Sequence, residues 1–242
     1  MIFSKDSIDF DFQAGKIILI DKPMEWTSFD IVRKLKNATK AKTGHAGTLD
    51  PLATGLVILC TGKLTKGIQE LQDQEKEYTG TICLGATRPS YDQETAIDQT
   101  YPTEHITPEL IQQAALAYTG EISQMPPIFS ALKVGGKTAY NMARKGQEVI
   151  LQPRAITIYE FEITSIDMPL VHFRVKCSKG TYIRSLAYDF GKLLNSGAYL
   201  HDLRRTQSGS YHVDDAWTVP EVTEYLFAHK DLILQHAGIQ KR

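Results

Sequence analysis

A chain of 242 residues, 42% hydrophobic and 23% charged, has an ordinary globular composition and the length for a sizeable core, in one large domain or two small ones. Its formal net charge of −1 argues against a generally sticky nucleic-acid binder, whose domain is usually strongly basic. No apolar run approaches the roughly 20 residues a helix needs to span a bilayer, so no membrane partner is expected.

Met1-Ile2-Phe3-Ser4-Lys5-Asp6 is too acidic and too short in apolar residues for a signal peptide, which makes the cytoplasm the expected location. Lys16-Ile17-Ile18-Leu19-Ile20 reads as a buried strand ending in the turn Asp21-Lys22-Pro23. On the residues alone, Lys22 is an exposed turn lysine. Thr27 or Ser28 can cap a helix whose one-sided stripe is Phe29, Val32, Leu35 and Lys36.

Gly44 to Gly55 holds three glycines, one proline, one histidine and a single carboxylate. Pro51 biases Asp50 away from the helical region. Gly44, Gly47 and Gly55 permit backbone angles and close approaches that other residues resist. Leu56-Val57-Ile58-Leu59-Cys60 then reads as a buried strand. The whole is a glycine-rich loop that presents one aspartate. It is not a phosphate-binding loop, since neither G-x-x-x-x-G-K-[ST] nor a post-strand G-x-G-x-x-G is present.

Thr65 to Leu71 reads as a short helix, and Tyr78 to Leu84 alternates like a strand. Thr107-Pro108-Glu109 opens a helix with Leu110, Ile111, Ala114, Ala115 and Tyr118 as its buried face and Gly120 as its end. Gly135-Gly136 reads as a hairpin turn, followed by a basic helix to Gly146. Ile156 to Ile166 and Val171 to Cys177 read as paired strands around Met168-Pro169. Ser178 to Leu186 turns from strand into helix, with Thr181 as cap and Leu186, Phe190 and Leu193 as core contacts. Arg184 is poorly placed for that helix's dipole, which a carboxylate partner would explain. A last helix begins at Thr218, where Thr218 and Glu221 offer a capping box.

Cys60, Cys83 and Cys177 lack metal-ligand spacing and read as reduced thiols, so no metal site is expected. Basic residues cluster at Arg33, Lys34, Lys36, Lys40 and Lys42, at Lys133, Lys137, Arg144 and Lys145, and at Lys176, Lys179, Arg184, Arg204 and Arg205. Each run taken singly is a solvated face, although local patches can neutralise phosphates on a protein of near-zero net charge.

Residues 44–55, G-H-A-G-T-L-D-P-L-A-T-G, resemble the G-H-x-G-x-L-D-P-x-A-x-G signature of TruB-type pseudouridine synthases. Asp21 to Ser28 resembles the family's D-K-P-x-G-W-T-S motif, with Glu25 in place of the usual glycine. Leu84 to Asp92 is close to L-G-x-x-T-x-T-x-D. P-P-x-x-S-A-L-K at 126–133 and A-Y-x-x-A-R-x-G at 139–146 are similar to the RNA-clasping insertion. S-K-G-T-Y-I-R at 178–184 resembles the third motif, and Leu203-Arg204-Arg205-Thr206 the L-R-R-T element.

The resemblance implies Asp50 as catalytic nucleophile, Tyr78 as an active-site tyrosine and Arg184 as the aspartate's partner. It places Tyr182 in the uracil pocket, Leu203 beside the target base and His45 in the space a flipped base vacates, with Lys22 among the substrate-binding residues. Asp92 reads as structural or RNA-adjacent. The implied fold is mixed α+β, one catalytic domain over 1–242 around a largely antiparallel sheet flanked by helices and loops. It would carry the RNA-clasping insertion at about 124–152 and a helical tail at 218–242, too short for the PUA domain of many relatives. The implied activity is bacterial tRNA modification: isomerisation of uridine to pseudouridine at position 55 of the T-loop, with base flipping. The T-arm stem-loop of tRNA would be the partner of a monomer needing no cofactor, metal or protein partner. Two other readings stand beside it, a T-arm-binding tRNA-folding protein and a synthase for another RNA. A pure binder would not need Asp50, Tyr78 and Arg184 together.

Overall fold

Continuous apolar runs become strands and capped amphipathic runs become helices in the computed structural model, which describes residues 2–130, 132–147 and 149–239 and omits the side chains of Lys133 and Val134. In chain order the elements are β1 (Ile17–Lys22), α1 (Ser28–Thr39), β2 (Thr43–Ala46), β3 (Thr54–Thr61), α2 (Ile68–Gln72) and β4 (Lys76–Leu84). Next come β5 (Ala86–Thr87), β6 (Gln99–Thr100), α3 (Pro108–Ala117), β7 (Gly120–Gln124), β8 (Lys133–Val134), β9 (Lys137–Thr138) and α4 (Ala139–Ala143). The chain ends with β10 (Arg154–Asp167), β11 (Leu170–Cys177), α5 (Ile183–Leu193), β12 (Ala198–Ser208), β13 (Tyr211–His212), β14 (Trp217–Thr218), α6 (Val219–Ala228) and α7 (Lys230–His236). The fold is mixed α+β. Two compact units divide it, 2–76 with 204–239 and 77–203.

In the first unit, β3 pairs antiparallel with β1 from Ile17↔Cys60 to Lys22↔Gly55, and with β2 from Thr43↔Thr61 to Ala46↔Ile58. The end of β12 runs parallel to the start of β3, with Arg204 opposite Thr54 and Arg205 opposite Gly55. β14 adds to β1 in parallel at Ile20↔Trp217. Leu19, Ala46, Leu56, Ile58 and Val213 form a buried cluster on this framework. Phe3, Phe12, Trp217 and Tyr225 pack as an aromatic group with ring centroids 5.0–6.1 Å apart.

The capping box at the start of α1 joins Thr27 and Asp30. Its buried face is Ser28, Ile31, Val32, Leu35 and Thr39. The expected stripe is half right: Val32 and Leu35 are buried, but Phe29 is 66% exposed and Lys36 is exposed. Each lies one residue past a buried position, and one residue turns a helix by about 100°. The expected helix at 65–71 is a 3-10 turn over Gly62–Gly67 followed by α2.

In the second unit, β10 and β11 form a long hairpin from Ile158↔Cys177 to Asp167↔Leu170, and β7 covers the other edge of β10. β4 continues the sheet beyond β11. Phe173 on β11 and Phe190 on α5 meet Phe161 on β10 with centroids 5.8 and 5.6 Å away. On α3 the buried residues are Ile111, Ala114 and Ala115, while Leu110 is exposed and Gly120 opens β7 instead of closing the helix. Leu186 and Phe190 of α5 are buried and Leu193 is exposed. Gly135 and Gly136 take positive φ in the β8–β9 hairpin, and α4 follows directly. Thr218 and Glu221, back in the first unit, form the expected capping box on α6.

The two faces of α1 are separable by stability. Leu35→Ala should lower the unfolding free energy in urea by about 2–5 kcal/mol. Phe29→Ala should change it by less than about 0.5 kcal/mol. The reverse order would overturn the assigned face.

Candidate active site

Asp50 lies in the link between β2 and β3, and the residues on either side of it are tied to the protein. On the N-terminal side, Ser28 Oγ accepts from the Leu49 N–H at 2.9 Å and donates to the Leu49 carbonyl at 3.2 Å. On the C-terminal side, the Pro51 carbonyl accepts from the Glu25 N–H at 2.8 Å and from Lys22 Nζ at 3.1 Å. The Asp50 carbonyl itself accepts from the Ala53 N–H at 3.1 Å, which closes the turn. A half-buried carboxylate is thereby held on a backbone with little freedom.

Two buried cations carry this loop. Lys22, at the end of β1, is 0% exposed, and its ammonium also donates to the carbonyls of Pro23 at 3.0 Å and Trp26 at 2.7 Å. An ammonium has three protons, and three carbonyls take them. The reading of Lys22 as an exposed turn lysine is therefore corrected. A turn in which three carbonyls converge on one point buries the cation that satisfies them. Burial pushes its pKa down to about 8, the charge of Asp50 opposes that shift and Arg205 adds to it.

Arg205, 2% exposed, donates from Nε to the Leu56 carbonyl at 2.7 Å and from Nη2 to the Gly47 carbonyl at 3.2 Å. Its backbone also explains Gly55. That residue has φ +102°, and a Cβ there would stand 2.3 Å from the Arg205 carbonyl oxygen. His45, on β2 opposite Leu59, is half-buried; burial lowers its pKa, with the Arg205 charge adding to the effect against a Gly47 backbone hydrogen bond. Glu25 adopts φ +67°, the left-handed conformation a glycine would take freely. The motif's turn therefore survives the exchange of residue.

The second unit presents the remaining expected residues. Tyr78 is buried on β4, next to Glu77, whose carboxylate accepts from Arg174 Nη1 at 3.0 Å. Leu203 is buried on β12. Tyr182 is the N-cap of α5, a place expected for Thr181, whose hydroxyl donates to the Ser178 carbonyl. The buried Gln124 amide takes over the capping region, accepting from the Tyr182 N–H at 2.8 Å and donating to its carbonyl at 3.0 Å. The Arg154 guanidinium lies 5.4 Å from the centre of the Tyr182 ring.

Arg184, in the first turn of α5, is 5% exposed. Its Nη1 donates to the Ser90 carbonyl at 3.2 Å and its Nη2 to the Phe129 carbonyl at 2.9 Å. Its Nε stands 3.6 Å from Asp92 Oδ2. Within this unit a carboxylate does face the misplaced arginine, as its position against the helix dipole suggested. Asp92, read from the sequence only as structural or RNA-adjacent, faces Arg184. The insertion meets the same turn: Tyr140 of α4 donates its hydroxyl to Glu94 at 2.7 Å, and Arg144 lies over the Tyr140 ring. The side chain of Lys133, counted in the insertion's basic cluster, falls outside the described residues. Among the described residues, no group of three or more His, Cys, Asp or Glu could hold a metal ion, and no helix is long and apolar enough to cross a membrane.

Known proteins agree with this reading of the motifs. The model of the TruB family pseudouridylate synthase N-terminal domain matches residues 33–183, and that of the tRNA pseudouridylate synthase B C-terminal domain matches residues 184–236. A tRNA pseudouridine synthase B from Flavobacterium johnsoniae is 57% identical over 214 residues, covering 85% of this chain and 93% of its own. The protein of the same name from Phocaeicola vulgatus is 50% identical, covering 89% and 95%. Among solved structures, a chain of a Cbf5-Nop10-Gar1 complex superposes with a TM-score of 0.72 at 30% identity over 96% of this chain. A chain of an H/ACA RNP bound to a substrate RNA containing 2'-deoxyuridine gives 0.69 at 27% identity over 98%. This chain spans 62% and 59% of those two solved chains. By sequence and by fold, the chain belongs to the TruB family of pseudouridylate synthases.

Proposed function

We propose that this protein converts uridine to pseudouridine at position 55 in the T-loop of tRNA, with Asp50 as nucleophile. The observation that carries the proposal is the Asp50 loop, fixed on both sides of a lone carboxylate in a chain of this family. The reaction breaks the glycosidic C–N bond, turns the uracil over and joins its C5 to the same sugar carbon. The C5 proton leaves and N1 gains one, so atoms and electrons balance without an oxidant, a hydrolytic water or a cofactor. One carboxylate suffices to attack or stabilise the cationic sugar. Unlike most glycosidases, the site need not place two carboxylates around a water.

Arg184 supplies the guanidinium that the family resemblance pairs with Asp50; a nearby cation favours the ionised carboxylate. Tyr78 stacks on the base or moves a proton. Tyr182 and Leu203 receive the flipped base, where aromatic stacking is worth about 1–3 kcal/mol against the cost of unstacking. His45 fills the space left in the RNA. Lys22 we assign to holding the Asp50 loop and not to touching substrate, because protein carbonyls take its three protons. The basic insertion at about 124–152 closes over the T-arm stem-loop, and the protein works as a cytoplasmic monomer.

Pseudouridine formation in a bare T-arm stem-loop tests the reading. Asp50→Asn should abolish turnover while the RNA dissociation constant stays within about threefold, a change well under 1.4 kcal/mol. Turnover by that variant would remove the nucleophile. Tyr78→Phe should bind RNA normally and slow the chemical step by about 10²-fold or more if the hydroxyl moves a proton; an unchanged rate assigns stacking alone. Lys22→Met should cost about 2–4 kcal/mol in urea unfolding, since it leaves buried carbonyls short of a donor. A neutral effect would show that the loop does not depend on the ammonium.

A further inference from the structure

We propose that Tyr91 and Tyr188 are positioning residues for this reaction, their stacked rings fixing the turn that aims Asp92 at Arg184. The inference rests on the reading above in one respect, that Arg184 serves the chemistry. Tyr91 has φ +62°. A bulky residue at positive φ is a genuine outlier, and such strain persists only where surrounding contacts over-determine it. Those contacts are present. The Tyr91 ring lies on that of Tyr188 at a centroid distance of 4.0 Å and an interplanar angle of 17°. Its N–H donates to the Arg88 carbonyl at 2.9 Å, and its own carbonyl accepts from the Leu200 N–H at 2.8 Å.

The placement of the stack makes it more than local packing. Tyr188 is four residues after Arg184 on α5, so the two side chains share one face of the helix. Tyr91 immediately precedes Asp92. The turn is therefore fastened to that face at two neighbouring points, ring on ring and carboxylate beside guanidinium. The Ser90 carbonyl accepts from Arg184 as well, and Asp92 Oδ1 is occupied by the Glu94 N–H at 3.0 Å, which leaves Oδ2 toward the arginine. If the ring is lost, the backbone hydrogen bonds of residue 91 remain but the turn is no longer fastened to α5 at that point, and the Asp92 carboxylate is less firmly aimed. The phenol contributes its ring and not its charge: a tyrosine is neutral at pH 7, and burial pushes its pKa further up, to about 12.

Single-turnover pseudouridine formation at saturating enzyme, RNA affinity and melting temperature together test this. Tyr91→Phe keeps the ring and should hold the wild-type rate. Tyr91→Gly, which tolerates the backbone but has no ring, and Tyr188→Leu, which keeps apolar bulk, should each slow the chemical step about 10- to 100-fold, the scale of an ångström-sized misplacement. The dissociation constant and melting temperature should stay near wild type, and the double variant should be no slower than the slower single one, because both remove one interaction. Wild-type rates in Tyr188→Leu and Tyr91→Gly, multiplicative losses in the double variant, or a loss confined to RNA affinity would each overturn the proposal. A wild-type protein that binds the stem-loop without making pseudouridine would overturn the underlying reading instead, so the two failures are distinguishable.

Discussion

The Lys22 ammonium binds two carbonyls of the turn that follows β1 and one of the loop after Asp50, so a single cation joins two stretches of chain that are separate in sequence. Stripping water from an ammonium is expensive, and hydrogen bonds to neutral carbonyls return only part of that cost. Its pKa of about 8, well under the ordinary lysine value, records the imbalance, which the negative charge of Asp50 reduces. The cation is a strut that ties the loop after Asp50 to the turn that follows β1.

Arg205 repeats the arrangement at the other end of the loop. Its guanidinium reaches the carbonyls of Gly47 and Leu56, while its backbone lies so close to Gly55 that no side chain fits there. The conformation of residues 47–56 thus depends on a strand contact, two buried cations and a serine that both accepts from and donates to Leu49. Preorganisation of this kind suits a reaction in which charge develops at a fixed sugar carbon, since a rigid carboxylate needs no reorganisation as the bond breaks.

Much of this was legible in the sequence, for local reasons. Glycine, proline and aspartate at set positions mark the Asp50 loop, and Thr27, Thr107 and Thr218 mark helix starts because capping is a property of neighbouring residues. What could not be read locally was partnership at a distance. Asp92 and Ser90 meet Arg184 across some ninety residues of chain. Gln124 reaches the start of α5 from β7 and holds the backbone of Tyr182 on both sides. Phe29 reads as core because it is apolar, although the face of α1 was set by Ile31 and Leu35. Lys22 reads as exposed because lysines in turns usually are, and only the converging carbonyls show otherwise.

Backbone strain points the same way. Among the described residues, four that are not glycine have positive φ: Glu25, Lys40, Tyr91 and Asn195. Lys40 is the C-cap of α1, and Asn195 follows the C-cap of α5; left-handed residues are routine at such helix ends. Glu25 and Tyr91 have no such excuse, for each is a side chain poorly suited to the conformation and neither ends a helix. Glu25 gives its N–H to the Pro51 carbonyl beside Asp50, and Tyr91 stands directly before the carboxylate that faces Arg184. Where helix geometry does not account for the strain, it falls next to the two groups on which the chemistry is proposed to depend. Strain retained there, against the general tendency of folding to relax it, is what an immobilised aspartate and an immobilised arginine require of the chain around them.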